Sequence, residues 1–202
     1  MQIRSWGMRA GQRMAHARCD EQELLRQLAR GNPAAFQTCY ERHQGPIFRF
    51  AWHMSGNRTT AEEVTQEVFL QLINKPQKFD PAKGTLAGYL FGIARNVMRR
   101  QMAMSFLDVP LEDEELSDDP ALAADFDMLT ELDRQERLEL LHKSVLALPA
   151  AYREALVLCD LEEMSYPAAA AILNCPEGTV ASRLHRARAM LKSRLQSMRC
   201  VR

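Results

Sequence analysis

The sequence predicts an all-α protein of two small helical domains joined by an acidic flexible linker. Three observations carry this. Apolar residues recur at three- and four-residue spacing in most segments bounded by Gly, Pro and Asn, which is helical rather than strand periodicity. The net charge of zero conceals a strong segregation. Between Ala103 and Leu140 there are thirteen acidic residues against two basic ones, whereas from Arg183 to the C-terminus there are seven Lys/Arg and no Asp or Glu. The third is that Ser105–Pro120, rich in Asp, Glu and Pro with few large apolar residues, cannot bury enough surface to fold and reads as a tether. A plain solvated spacer fits the same composition.

In chain order, residues 1–19 form an N-terminal arm, expected to be disordered or to lie upstream of the true start. Its arginines enclose no apolar core, so it is not a secretory signal. The first domain, 20–102, opens with a helix over Glu21–Ala29 that stops at Gly31-Asn32-Pro33. Ala34 to Met54 is apolar-rich, interrupted at Gly45-Pro46 and closed by Gly56-Asn57. Thr60-Ala61-Glu62-Glu63 reads as a capping box for a helix to about Ile73. Val64, Val68, Leu72, Phe69 and Ile73 are expected inside, leaving Glu62, Glu63, Gln66, Glu67 and Gln71 outside. Such an acidic and amide face repels DNA and suits a basic protein surface. A loop over Lys75–Gly84 leads to a helix from Thr85 to about Met102, whose end, Arg95-Asn96-Val97-Met98-Arg99-Arg100, is basic and expected to face DNA. Asn is suited to hydrogen-bonding a base edge.

After a linker over 103–130, the second domain spans 131–197. Tyr152–Leu161 suits a core helix, and Ser165 caps a short helix ending near Leu173, with Pro167 tolerated in its first turn. A turn over Asn174–Glu177 precedes a helix starting at Thr179. There Val180, Leu184, Ala187, Leu191 and Leu195 form one apolar stripe, with Ser182, Arg183, His185 and Arg186 pointing elsewhere. Two helices joined by a tight turn, the second basic on one face, is the helix-turn-helix arrangement and fits a polyanion. A solvated amphipathic helix in an all-α bundle is the plainer alternative.

No phosphate loop, nucleophile motif or metal cluster appears, so neither enzyme activity nor a cofactor is expected. Cys39 and His43, four apart on a helix, are too few ligands for a metal site. The five cysteines lack CxxC spacing and suit reduced cytosolic thiols. No run of 18 apolar residues offers a membrane span.

Three stretches together resemble the extracytoplasmic-function (group IV) sigma factors of the sigma-70 family of bacterial RNA polymerase. Residues 61–70 (AEEVTQEVFL) are similar to region 2.2, which docks on the clamp coiled coil of the polymerase β′ subunit. Leu86–Asn96, closing in Ile93-Ala94-Arg95-Asn96, is similar to regions 2.3 and 2.4, which open and read the −10 element. Leu148-Pro149 through Arg188 is similar to region 4, which reads the −35 element. The resemblance implies a cytoplasmic factor that binds core polymerase through the β′ clamp and β flap and directs initiation at promoter DNA, in a stress or an envelope or metal response. It assigns polymerase binding to Glu62, Glu63, Gln66 and Glu67. It assigns −10 contacts to Lys78, Phe79, Arg95, Asn96, Arg99 and Arg100, and −35 contacts to Thr179, Ser182, Arg183, Arg186 and Arg188. Phe79 would stack on an extruded base, or else serve as a core residue. Tyr89 takes the place of a common Trp and keeps the aromatic packing. An anti-sigma factor, often membrane-anchored in the family, is the implied keeper, with one of its helices held between the two domains. The rival reading is a helix-turn-helix regulator that does not act through core polymerase.

Overall fold

A computed structural model describes residues 23–28, 30–103 and 134–199; the expected N-terminal arm and most of the acidic linker lie outside the described residues. Every regular element among the described residues is helical: α1 (23–28), α2 (Pro33–Ser55), α3 (Arg58–Asn74), a 3-10 turn (Pro76–Lys78), α4 (Leu86–Ala103), α5 (Arg134–Leu146), α6 (Ala150–Leu156) running into a π turn (Val157–Leu161), α7 (Tyr166–Leu173) and α8 (Glu177–Arg199).

Local chemistry sets most boundaries. Asn32 caps α2 by accepting from the Ala34 amide at 3.0 Å, with Pro33 in the first turn, where its missing N–H costs nothing. The expected break at Gly45-Pro46 does not occur. Pro46 sits inside α2 and removes only the bond to the carbonyl of Arg42, while Ile47, Phe50, Ala51 and Met54 beyond it are all buried. That burial outweighs the local penalty of proline. Gly56 ends α2 at φ +68, and a Cβ there would lie 2.7 Å from Leu146 Cδ1, so both backbone and space demand glycine. The cap of α3 is Asn57, accepting from the Thr60 amide at 3.1 Å, rather than Thr60 itself, so α3 begins two residues before the expected capping box. Thr85 accepts from the Gly88 amide at 3.1 Å and starts α4. Asn174, at φ 52, closes α7, and α8 starts at Glu177 rather than Thr179, which shortens the turn between them. Helix α5 was not anticipated; its Glu136 and Glu139 merge in sequence with the acidic linker.

Helices α2, α3 and α4 enclose Ile47, Phe50, Val64, Val68, Leu72, Leu86 and Leu90, and Phe50 meets Phe91 edge-on at 5.6 Å. Helices α5 to α8 enclose Val145, Leu148, Val157, Leu158 and the stripe Val180, Leu184 and Ala187. Burying such side chains contributes about 1.5–3 kcal/mol each. The two groups also pack on one another. Helix α4 lies on α7, and α2 on α5, α6 and the π turn. Arg95 pairs with Glu154, and Arg49 with Glu162. Arg153 donates to the Met54 carbonyl, and Trp52 stacks on His142 at 3.8 Å. A partner helix between the two groups would have to displace these contacts.

Candidate nucleic-acid and polymerase interfaces

On α3, Glu62, Glu63 and Gln66 are exposed, as the sequence suggested, whereas Glu67 and Gln71, also expected outside, are half-buried. Glu62 pairs with Arg58 at 2.9 Å, and Glu67 accepts from Gln71 at 2.7 Å. Leu70 and Ile73 share this surface, at 51% and 46% exposure. Ile73 was expected inside. It lies seven residues after Gln66, two turns on, so it projects on the same face. The face is therefore acidic at one end and apolar at the other, which fits a protein partner better than solvent alone.

On α4, Asn96, Arg99 and Arg100 are exposed. Tyr89 lies two turns before Asn96, about 10 Å along the same face. Phe79 is half-buried, with its ring 5.4 Å from that of Tyr89, so it is at once a packing residue and the lip of an aromatic step. Lys78 is exposed beside it at the end of the 3-10 turn. An aromatic step followed by an amide and then two cations suits a single strand, whose bases stack while its phosphates meet the arginines. Arg95 turns away from this row. Its guanidinium donates to both carboxylate oxygens of Glu154, at 2.9 and 3.2 Å, and to the Ile172 carbonyl at 3.3 Å.

On α8, the buried stripe forces the opposite face outward: Gly178, Ser182, His185 and Ala189 are all exposed. The Ser182 hydroxyl donates to the Thr179 carbonyl at 3.0 Å. Thr179 and Arg183 are half-buried on one flank, and Arg186 reaches the Tyr152 hydroxyl at 3.4 Å. Arg188 forms a two-pronged pair with Asp160 at 2.6 and 2.9 Å, which raises its pKa and ties it to the protein. His185 stands at the centre of the exposed face and was missing from the expected contacts. Its spacing of three from Ser182 was the readable signal. Helix α8 begins beneath Glu177 and Gly178, where the Thr179 and Val180 amides both donate to the Pro176 carbonyl.

The remaining titratable groups favour no chemistry of their own. Burial, then the neighbouring Asp160, raises the Cys159 thiol and keeps it protonated and unreactive at neutral pH. No group of three or more metal-ligating side chains occurs among the described residues. No helix among them is long and apolar enough to cross a membrane.

Comparison with known proteins places the chain in a family. Residues 39–104 match the family Sigma-70 region 2, and residues 138–191 match Sigma-70, region 4. The chain is 33% identical over 184 residues to the ECF RNA polymerase sigma factor SigE of Mycolicibacterium smegmatis; the match takes in 83% of this chain and 65% of that longer protein. It is 30% identical over 182 residues to SigW of Bacillus subtilis, covering 86% of this chain and 96% of SigW. Its fold is similar to that of CnrH, solved in complex with the cytosolic domain of CnrY, with a TM-score of 0.65 and 27% identity over 88% of this chain and 97% of that one. With both family regions matched in chain order and SigW alike over nearly its whole length, the chain belongs to the sigma-70 family, in its extracytoplasmic-function branch, and is a transcription initiation factor rather than an enzyme.

Proposed function

We propose that this factor recruits RNA polymerase core through α3 and reads promoters with two domains, 20–102 for the −10 element and 131–197 for the −35 element, joined by the linker 103–130. Glu62, Glu63, Gln66 and Glu67 meet the β′ clamp, with Leu70 and Ile73 completing the patch. Lys78, Phe79 and Asn96 line the path of the −10 strand, while Arg95, Arg99 and Arg100 hold its phosphates. Thr179, Ser182, Arg183 and Arg186, joined by His185, meet the −35 duplex beneath the β flap, while Arg188, expected among them, is held by Asp160 instead. The carrying observation is the pairing, within one chain, of an exposed acidic-to-apolar face on α3 with an exposed hydroxyl-and-imidazole face on a basic helix. A regulator that ignored core polymerase would have no use for the first.

The likeness to CnrH, which is held by part of another protein, supports a protein antagonist of this chain as well, an anti-sigma factor. Cytoplasmic placement and a role in a stress or an envelope or metal response follow from the same reading. Run-off transcription with purified core and a pool of promoter fragments tests it. Specific initiation that disappears with Glu63→Ala and with Arg183→Ala is the expected result. Duplex binding without affinity for core would instead make the chain a helix-turn-helix regulator.

A further inference from the structure

The exposed face of α8 carries little that can reach a base edge. Gly178, Ser182, His185 and Ala189 are exposed, and Ala181 is half-buried beside them. At about 100° per residue, Gly178, Ala181, Ser182 and Ala189 all lie within about 60° of His185. Their side chains are short or absent, so the helix backbone can sit close to a groove floor while the imidazole extends past its neighbours. Ser182 turns its hydroxyl proton back onto the Thr179 carbonyl at 3.0 Å. The arginines stand off this face. Arg183 and Arg186 are both half-buried, about 160° and 100° round the helix from His185. Arg188, on the other flank, is forked onto Asp160. Cations so placed meet the walls of a groove, where the phosphates are, rather than its floor.

No carboxylate competes for this imidazole. The residues three and four places from His185 are Ala181, Ser182, Arg188 and Ala189. Helices α5, α6 and α7 pack on α8, whose Val180, Leu184 and Ala187 are buried on the side away from His185. Helix α7 has no charged residue, and on α6 Glu154 is spent on Arg95 and Arg153 on carbonyls. On α5, Glu136, Glu139 and Lys143 are exposed to solvent. Glu177 lies about 12 Å back along α8, and Lys192 about two turns forward. His43, His53 and His142 are half-buried on α2 and α5, the last two meeting at 3.2 Å across the seam between the two groups of helices. His185 is the one exposed histidine among the described residues.

Histidine is the side chain that changes charge between about pH 5 and 8. The neutral ring has one donor and one acceptor, the imidazolium two donors. In the major groove guanine offers two acceptors, N7 and O6. The two ring nitrogens point apart, so the ring cannot fork onto one guanine as an arginine does. When one N–H meets the base, the other nitrogen faces the phosphates, and a neutral ring would set a lone pair against an acceptor on one side or the other. Only the imidazolium answers both, and nearby phosphates favour it. On the reading that α8 faces the −35 duplex, on which this depends, we propose that His185 is a specificity-determining residue that reads a guanine as the imidazolium, with one N–H on the base edge and the other on a phosphate, so that binding takes up one proton from solvent.

The full-length chain selects its preferred sequence from a pool of duplexes randomised over about ten base pairs, and fluorescence anisotropy then follows the fluorescein-labelled selected duplex at about pH 6 and about pH 8, at fixed ionic strength. Wild type should bind at least five-fold more tightly at the lower pH, with a salt slope steeper by about 0.9 for the added phosphate contact. His185→Ala and His185→Gln should each shift less than two-fold. The other histidines are common to all three proteins, so their titration cancels, and both variants should keep the wild-type circular dichroism because position 185 is exposed. Replacing each guanine of the selected duplex in turn should cost wild type at least five-fold at one base pair that His185→Ala no longer distinguishes, with the penalties elsewhere unchanged. An equal pH shift in wild type and His185→Ala overturns the proton uptake and the proposal with it. A loss in His185→Ala spread evenly over every base pair makes His185 a phosphate contact and overturns the base reading. A pool that yields no preferred sequence overturns the duplex reading of α8 itself, and the role of His185 falls with it.

Discussion

Arg153 offers the sharpest test of how the packed form holds together. Its guanidinium reaches the carbonyls of Met54 at 2.7 Å and Leu148 at 2.8 Å, and also that of Leu146. Met54 and Leu146 lie in the last turns of α2 and α5, where carbonyls lack helical partners and carry the negative end of the helix dipole. One cation thus closes two helices. No carboxylate is among its partners, burial pulls its pKa down, and its Nε is buried without a partner. Charge-assisted bonds contribute about 1.5–3 kcal/mol each, so three give roughly 4–9 kcal/mol before desolvation. Burying the cation costs several kcal/mol in return. Arg153→Met, which keeps the stem and leaves three carbonyls unanswered, should therefore destabilise the chain by about 2–4 kcal/mol. Urea denaturation followed by far-ultraviolet circular dichroism should show a midpoint lower by about 1–2 M, given a slope near 2 kcal/mol/M. Arg153→Lys should recover about half of the loss or less, because a point-like ammonium cannot fork between two helix ends. A methionine variant within about 0.5 kcal/mol of wild type would refute the clamp, since that is the scatter of ordinary surface substitutions.

Other expectations are more direct. Glu63→Arg on the exposed face of α3 should weaken core binding by more than ten-fold in a pull-down titration, about 1.4 kcal/mol or more, without moving the thermal midpoint. Arg183→Ala should lose about 1–3 kcal/mol of −35 duplex affinity and reduce the salt slope by about one, whereas Arg188→Ala should change little, because Asp160 already holds that guanidinium. Asp160→Ala should free Arg188 and tighten duplex binding, read by anisotropy across a salt series. Leu184→Ala in the fully buried stripe of α8 should cost about 2–5 kcal/mol in urea unfolding. Burial, helped by His142 and Arg49, lowers His53 to about 4, and burial with Arg153 nearby lowers His142 as well. Both folded values lie below the ordinary 6.5, so the unfolded chain takes up protons first. Stability should be steady above about pH 6.5 and fall between there and about pH 4. His53→Phe should flatten that decline; an unchanged pH profile would show that the seam does not hold the imidazole neutral.

The fold was legible wherever one helix decides its own outcome. The stripe Val180, Leu184, Ala187, Leu191 and Leu195 follows from spacing alone, and the structure buries the first three and half-buries the last two. Boundaries were less legible where two residues compete for one role. Asn57 and Thr60 are both cap-forming types, and only the path of the chain out of Gly56 selects Asn57. Helix α5 is hidden in the sequence because its charges resemble those of the linker before it, and it packs on α2 and α8, elements distant in sequence. Apolar character alone does not place Ile73, whose angular position on α3 matches that of exposed Gln66. The largest gap lay in pairing. Nothing in local sequence links Arg95 to Glu154, which is 59 residues away, or Arg49 to Glu162, which is 113 away.

Pairing also changes what a basic sequence means. A positive run counts every arginine as available to DNA, but a folded chain commits each guanidinium to one set of acceptors at a time. Arg188 is committed to Asp160 within the C-terminal helices, a local pair that domain separation leaves intact. Arg95 and Arg49 are committed across the seam, so the same separation frees both. Arg99 and Arg100 are exposed already. Any parting of the halves would therefore add cations selectively along α2 and α4, beside the aromatic step of Phe79 and Tyr89, while leaving the exposed face of α8 as it was.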